Sequence, residues 1–164
     1  MIIDSHLHVW SDDESLYPYS EVSRPETGYR ASVELLNEHM AEAGVEKAVI
    51  VQPIHYLYDN RYVADCLARF PGRFAAVCLV DPKEPAAPDQ LEELVRGRGF
   101  GGMRLHLSRQ EDPSALAASD QDPLWRRVEE LNVCLIVLGR ATELPALEPI
   151  VDRFPDVKVV LDHL

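Results

Sequence analysis

The sequence predicts an α/β fold in which short parallel strands alternate with amphipathic helices. Apolar runs rich in β-branched residues begin near residues 2, 47, 74, 101, 133 and 157, and helical patterns separate them. Two architectures fit this alternation, an open doubly wound sheet and an arc of a (β/α)8 barrel. No strand is followed by a G-x-G-x-x-G phosphate turn, and the first strand runs instead into His-x-His, which favours the barrel.

Length, charge and cysteine content limit the possible functions. The 164 residues suit one domain, so we expect a single barrel domain over residues 1–164. The formal net charge of −12 argues against nucleic acid or an anionic membrane as a partner. No apolar run approaches the ~20 residues of a membrane span and the N-terminus does not resemble a signal peptide, so a cytoplasmic protein is expected. Cys66, Cys78 and Cys134 lie inside apolar segments, which predicts reduced, buried thiols.

The individual elements follow from local patterns. The first strand leads into a long polar stretch, Ser11 to Arg30, which we expect to form a wall of the binding site. Ser32 is placed to cap a first helix that ends at Gly44. The remaining strands are predicted at Lys47–Gln52, Phe74–Val80, Phe100–Leu107, Val133–Leu138 and Val157–Leu161. The helices between them are predicted from an Asp59 cap to Phe70, at Pro88–Arg98, at Pro123–Leu131 behind an Asp122 cap, and after a Thr142 cap.

The histidines of the first strand are the leading candidates for a metal site. In a β-strand, His6 and His8 project to the same face, with Asp4 in line beneath them. Their Cα atoms are expected roughly 6.5 to 7 Å apart, a gap that two rings can close around one metal ion. The alternative is a pair of solvated or hydrogen-bonded imidazoles without a metal.

Polar residues accumulate at the other predicted strand ends, where parallel α/β folds bind ligands. Arg104 suits a substrate carboxylate or phosphate, although pairing with a neighbouring acid is an alternative. Gln52 either faces the substrate or satisfies a backbone group. His163, directly after the run VVLD, is placed for a general acid/base. The remaining candidates for substrate contact are His106 and Tyr56. Tyr56 belongs to a polar cluster with His55, Asp59 and Asn60.

The sequence resembles the amidohydrolase-2 branch of the metal-dependent hydrolase superfamily over nearly its whole length. The similarity is carried by IIDSHLHVW, by VIVQP with HYLYDNRYVADCLARFPGRFAAVCLVDP, by GGMRLHL and by RFPDVKVVLDHL. This resemblance implies a TIM barrel, with His6 and His8 as metal ligands, His163 contacting the substrate or activated water, and Gln52 and Arg104 facing the substrate. It implies a divalent metal, zinc or manganese, although some members work without a tightly held ion.

The chain also departs from the family pattern. The fifth strand, Val133–Leu138, ends at Gly139 without the expected histidine, and the sequence stops after six of eight strands. We therefore expect a truncated barrel whose open sheet edges are covered by self-association or by a further C-terminal segment. Three functions remain open, namely metal-assisted hydrolysis of a small carboxylated lactone or related ester, a non-catalytic barrel domain, and metal-dependent decarboxylation of an unsaturated or aromatic acid.

Overall fold

The computed structural model describes residues 1–163, which divide into two compact units. Unit 1 contains Met1–Leu79 with Arg98–Phe100, and unit 2 contains Val80–Gly97 with the described residues from Gly101 onward. Each unit contains three parallel strands that neighbour one another in chain order. The predicted α/β class with parallel strands is confirmed, whereas the single-domain organisation stays a prediction.

Unit 1 has two helices between its three strands. The central strand is buried along most of its length, as expected for a parallel strand with neighbours on both sides. The elements are β1 (Ile3–Leu7), α1 (Val33–Ala43), β2 (Lys47–Val51), α2 (Arg61–Arg69) and β3 (Phe74–Cys78).

Strand β1 is irregular between Asp4 and Leu7. Asp4 aligns with Ala48 and Leu7 aligns with Ile50, so three residues of β1 oppose two of β2. Such a bulge interrupts the two-residue alternation of side chains. The shift falls in the span from Asp4 to Leu7, which includes His6, and the Asp4 carboxylate accepts a hydrogen bond from His6 N at 3.1 Å.

The first predicted helix is confirmed at both ends. The Ser32 side chain accepts a hydrogen bond from Leu35 N, and the helix ends at Gly44 with a left-handed φ of 68°. In α2 the predicted Asp59 cap is wrong by one residue, because Asn60 occupies the cap position. Asp59 still accepts a hydrogen bond from Arg61 N, while the Asn60 side chain binds the backbone of Leu79 instead.

Unit 2 contains the remaining strands and several short helices. Its elements are α3 (Ala87–Glu92), which continues as a π-helix over Glu93–Gly97, β4 (Gly102–His106), 3-10 turns at Leu107–Arg109, Pro113–Ala117 and Ser119–Gln121, α4 (Asp122–Glu130), β5 (Cys134–Leu138), a 3-10 turn at Leu144–Leu147, α5 (Glu148–Arg153) and β6 (Lys158–Asp162).

Two predicted helix caps in unit 2 are wrong. Asp122 is the first residue of α4 and not its cap, and its carboxylate binds Arg153 at 2.8 Å. Thr142 lies outside the cap of the following turn, which is Glu143. The Glu143 carboxylate accepts hydrogen bonds from Arg140 N and Ser108 Oγ and so joins the segments after β5 and β4.

The strands of unit 2 have one apolar and one mixed face. Alternate residues on one face are fully buried, as expected for a core layer. They are Met103, Leu105, Leu135 and Val137. The strand register places the predicted site residues Arg104 and His106 on the opposite face. That face also carries Asp162.

The thiols and the helices agree with the sequence-based expectations. Cys66 and Cys78 are buried as predicted, whereas Cys134 is half-buried, and these three cysteines are not in disulfides. Burial raises the pKa of Cys66 and of Cys78 to about 12, so both remain protonated at neutral pH. Within residues 1–163 no helix is both long and apolar enough to cross a membrane.

Candidate metal and substrate site

The structure brings the imidazoles of His6 and His8 face to edge at the carboxyl end of β1. Their Nε2 atoms lie 3.4 Å apart, and the ring centroids lie 5.1 Å apart at an interplanar angle of 88°. Both side chains are half-buried. The bulge in β1 therefore leaves the two predicted ligands directed at one point.

A backbone carbonyl sets the tautomer of His8. The Nδ1 atom lies 2.8 Å from the carbonyl oxygen of Val51, the last residue of β2. A carbonyl only accepts hydrogen bonds, so Nδ1 of a neutral ring is the protonated nitrogen. The lone pair is then on Nε2, the nitrogen that approaches His6. Metal-bound histidines in proteins are oriented in this way by a partner on the other nitrogen.

The spacing of the two Nε2 atoms fits a tetrahedral metal ion. With Zn–N bonds of about 2.0 to 2.1 Å, two nitrogens separated by 3.4 Å give an N–metal–N angle of about 110°. This angle is close to the tetrahedral value. Two neutral imidazole nitrogens form a donor set that suits zinc and other transition metals. The pair therefore fits the divalent ion that the sequence implies.

Gln52 lies beneath the loop that follows β2. Its side chain is fully buried, and Nε2 donates to the carbonyl oxygens of Leu57 at 3.1 Å and Asp59 at 2.8 Å. Among the described residues, its Oε1 atom has no hydrogen-bond partner. The two donated bonds hold the loop in a compact turn, which is the backbone-satisfying alternative that the sequence left open.

Tyr56 joins this loop to the segment after β1. The side chain is 3% exposed, its hydroxyl accepts a hydrogen bond from Ser11 N at 2.8 Å, and its ring stacks on Tyr19. Burial raises the pKa of Tyr56 well above its usual value, so the phenol stays neutral. Tyr56 thus holds the loop after β2 against the segment Ser11 to Arg30, whose role as a wall of the binding site stays a prediction.

His55 has a different environment from its neighbours on the same loop. Its Nδ1 lies 3.0 Å from Ser23 Oγ, and its ring meets Trp10 edge to face at 5.1 Å. Its backbone carbonyl accepts a hydrogen bond from Ser20 N at 2.6 Å. Burial lowers the pKa of His55, so the ring is neutral at pH 7.

The segment from Ser11 to Arg30 is irregular, as predicted, and is held to unit 1 by polar contacts. Besides the contacts to His55 and Tyr56, the Tyr17 hydroxyl donates to Asp65 Oδ2 at 2.5 Å. This hydrogen bond to a carboxylate raises the pKa of Tyr17 to about 12. The segment is therefore ordered against α2 and the loop after β2.

In unit 2, Arg104 and Asp162 form a buried ion pair. Arg104 Nη2 lies 2.8 Å from Asp162 Oδ2, and the two side chains are 4% and 10% exposed. Burial lowers the pKa of Arg104, and the charge of Asp162 opposes that shift. Among the described residues, Arg104 Nε has no hydrogen-bond acceptor. The acid partner that the sequence left as an alternative is therefore present, and Nε remains as a buried donor.

The other two candidates of unit 2 lie at the ends of strands. His106 is the last residue of β4, is half-buried, and shares a row of the strand register with Leu138 and Asp162. His163 follows β6 with a left-handed φ of 57°, and its side chain is 57% exposed. Its Nε2 lies 3.7 Å from Asp162 Oδ2. The carboxylate of Asp162 thus connects the strand-four arginine with the strand-six histidine.

Asp162 and His55 were not singled out as site residues from the sequence. Asp162 was quoted only within the terminal Asp-His motif, although an acid at the end of an apolar strand is itself a signal of a buried partner. His55 was noted in a polar cluster without a role. Its contacts with Ser23 and Trp10 depend on how the segment after β1 folds back, which local sequence does not reveal.

The parallel strands alternate with helices and carry polar side chains at their carboxyl ends. This is an α/β fold of the class whose enzymes have their active sites at the carboxyl ends of the strands. The Amidohydro_2 family model, described as amidohydrolase, matches residues 3–164. The chain therefore belongs to the amidohydrolase family.

Solved and curated relatives agree with this assignment. The chain is 26% identical over 163 residues to L-fucono-1,5-lactonase of Burkholderia ambifaria, a match that covers 98% of this chain and 56% of that protein. It matches the structure of a probable 2-pyrone-4,6-dicarboxylic acid hydrolase from Acinetobacter baumannii with citric acid bound at a TM-score of 0.83 and 27% identity, over 99% of this chain and 58% of that one. The structure of a Burkholderia multivorans amidohydrolase with bound zinc matches at a TM-score of 0.72 and 23% identity. This match covers 99% of the present chain and 57% of that protein.

These matches establish the fold. Six βα units correspond to part of a TIM barrel, which confirms the predicted barrel class. The chain spans a little more than half the length of these relatives.

Proposed function

We propose that this protein is a metal-assisted hydrolase of the amidohydrolase type that acts on a small lactone or related ester. The observation that carries the proposal is the pair of Nε2 atoms of His6 and His8, 3.4 Å apart, with His8 oriented by Val51. A divalent ion, zinc or manganese, would supply carbonyl polarisation and an activated water there. The chain's own contribution is to hold both nitrogens on one point before the ion arrives.

Hydrolysis is preferred to decarboxylation because of the relatives. Three matches above 25% identity are named, one as a lactonase and two as 2-pyrone-4,6-dicarboxylic acid hydrolases, and these names describe ring-ester hydrolysis. A carboxylated substrate, as expected from the sequence, requires a cation. Arg104 is our candidate for that contact through its buried Nε–H, and His106 on the same face is a second substrate-binding candidate.

The remaining predicted residues take supporting roles in this proposal. His163 is exposed at the end of β6 beside Asp162, where an imidazole can accept and return a proton. Gln52 and Tyr56 act on substrate binding indirectly. Their hydrogen bonds fix the loop after β2, which follows the Val51 carbonyl that orients His8.

The expected partners and location complete the proposal. The partner is a small lactone or carboxylate, with neither nucleic acid nor membrane, in agreement with the net charge of −12. Cysteines that are not in disulfides are consistent with the cytoplasm. Self-association or a further C-terminal segment is proposed to cover the open strand edges, since the exposed side chains include Val160 and Leu161 of β6.

A non-catalytic domain is the second candidate. The fifth strand, Cys134–Leu138, ends at Gly139 without the histidine that the family resemblance implies. Two imidazoles are also one ligand fewer than the three protein ligands of most catalytic zinc sites. In this reading, Arg104 and its neighbours bind an anion without chemistry.

Hydrolysis of L-fucono-1,5-lactone by the Zn²⁺- and Mn²⁺-loaded chain distinguishes the two candidates. We expect metal-dependent hydrolysis that falls at least about 100-fold in His6→Ala and in His8→Ala, because each variant removes one of two nitrogens on the ion. The exposed His39→Ala is the matched control, with unchanged rate. Metal binding by the wild type without hydrolysis of this lactone or of 2-pyrone-4,6-dicarboxylate would favour the non-catalytic candidate.

A further inference from the structure

In the loop after β2, the His55 ring contacts side chains of another segment of unit 1. The side chains of Gln52, Tyr56 and Asn60 all hydrogen bond to main-chain atoms and so stabilise the fold. The ring of His55 instead meets the side chain of Ser23, which lies in the segment after β1. Its ring is therefore a candidate for a role beyond folding.

Two aromatic rings from the chain after β1 lie close to the His55 ring. Trp10, two residues beyond His8, meets the His55 ring edge to face at 5.1 Å. Tyr19 lies 6.2 Å from the same ring, and its hydroxyl is fixed by Ser11 O. Aromatic walls with a few oriented polar groups are the usual composition of sites for small molecules.

The charge of this region excludes strongly anionic groups. The segment from Ser11 to Arg30 contains five acidic and two basic residues. Both arginines are already ion-paired within the segment, Arg24 with Glu14 at 2.9 Å and Arg30 with Asp12 at 2.6 Å. The loop over residues 52–60 adds one acid and no cation. The Arg24 guanidinium lies 5.8 Å over the Tyr19 ring, but Glu14 already pairs with it. A substrate carboxylate placed here would therefore meet an excess of like charge.

The chemistry of the imidazole favours hydroxyl groups. Since burial keeps His55 neutral, its ring offers one protonated and one unprotonated nitrogen, and Ser23 Oγ engages Nδ1. A neutral imidazole held in one orientation exchanges hydrogen bonds with a hydroxyl group, while the faces and edges of Trp10 and Tyr19 contact the apolar side of a ring.

We propose that His55, Ser23, Trp10 and Tyr19 form a subsite for an uncharged, hydroxyl-bearing ring. This inference rests on the proposed function and deepens it, because it assigns the part of the lactone substrate that unit 1 contacts. His55 is the specificity-determining residue, and Ser23 is a positioning residue that acts through it.

Binding of neutral sugar rings to the Co²⁺-loaded chain tests the subsite. The probes are L-fucose, D-galactose and D-glucose, followed by NMR titration, with citrate as an anionic comparison. In His55→Phe, which keeps the aromatic packing and removes both nitrogens, we expect the Kd of the best-bound sugar to rise about tenfold, as for loss of one hydrogen bond. Citrate and Co²⁺ binding are expected to stay within about twofold of the wild type.

Two further variants separate recognition from folding. Ser23→Ala is expected to weaken sugar binding by about threefold and Ser23→Thr to restore it, because the threonine hydroxyl also engages Nδ1. His39→Phe makes the same substitution at an exposed helix position and should change nothing.

The results test the subsite and the metal site separately. If the wild type binds Co²⁺ but none of the three sugars, or if His55→Phe binds the sugar as well as the wild type does, the subsite is wrong while the metal site stands. Failure of the wild type to bind Co²⁺ refutes the metal site instead, and the sugar titration of the metal-free chain then judges the subsite alone.

Discussion

The two units place charge differently around their candidate site residues. In unit 1 the described ion pairs join exposed or half-exposed side chains, as in Arg24 with Glu14, and the exposed Asp4 carboxylate beside the histidine pair accepts a hydrogen bond from His6 N. In unit 2 the strand face that carries the site candidates contains a buried ion pair, Arg104 with Asp162.

This difference indicates different tasks for the two units. Imidazole nitrogens suit a transition-metal ion, and aromatic rings suit an uncharged ring. A buried arginine bound to a carboxylate is costly to desolvate, which makes Arg104 a candidate for a functional charge. We therefore propose that unit 1 holds metal and ring, and that unit 2 takes part in anion binding and proton transfer.

Arg104→Met should produce the largest change in stability, because it leaves the Asp162 carboxylate buried without its partner. We expect the free energy of unfolding to fall by about 3–5 kcal/mol in urea denaturation. Arg140→Met is the control, since its pair with Glu143 is exposed on the arginine side and should contribute about 1 kcal/mol or less. The double variant Arg104→Met with Asp162→Leu should recover most of the loss. A loss below about 1 kcal/mol for Arg104→Met would show that the pair is not buried.

Gln52→Met should have a smaller effect, confined to unit 1. The change removes two buried hydrogen bonds to Leu57 O and Asp59 O and is expected to cost about 1–3 kcal/mol. Hydrogen exchange of the amides between residues 53 and 59 should accelerate at the same time. Gln110→Met, which loses one long, half-buried bond to His106 O, is the matched control. Equal exchange in both variants would mean that Gln52 does not hold the loop.

The pH dependence of stability should reveal the neutral state of His55. Its pKa is lowered in the folded protein, so below the unfolded value of 6.5 the unfolded chain binds more protons at this residue. Stability contributed by His55 is therefore present above 6.5 and declines as the pH falls below it. Urea unfolding at about pH 7.5 and about pH 5.5 should show a larger loss for the wild type than for His55→Phe. Equal losses would argue for a solvated imidazole.

Tyr17 should give the smallest effect on stability, and its contribution is lost as the pH rises and not as it falls. Its pKa is raised to about 12 by the hydrogen bond to Asp65, so its contribution is present below pH 10 and is lost as the pH rises towards 12. Tyr17→Phe should therefore be less stable than the wild type at about pH 9, and the two should converge at about pH 11.5. A constant difference across this range would show that the hydroxyl does not donate to Asp65.

The fold was predictable from the sequence where burial alone decides the structure. All six strands were found because each begins in a short apolar or β-branched run, and the Ser32 cap of α1 was found because its partner, Leu35 N, is local in sequence. Asp122 and Asn60 depart from the expected pattern because each side chain has a tertiary partner, Arg153 and Leu79 respectively. Such partners are distant in sequence and leave no local pattern.

The candidate site was predictable to the same extent. His6 and His8 could be paired from their spacing because they are two residues apart in the first strand segment, although the irregularity of β1 could not be foreseen. Arg104 could be placed on β4, but its choice of Asp162 requires the register of three strands.

X-ray absorption spectroscopy of the Zn²⁺-loaded chain tests the central claim most directly. We predict two imidazole nitrogens at about 2.0 to 2.1 Å from the ion in the wild type, one in His6→Ala or His8→Ala, and an unchanged spectrum in His39→Ala. A zinc environment without imidazole, or one that is the same in the wild type and in the double variant of His6 and His8, would contradict the account.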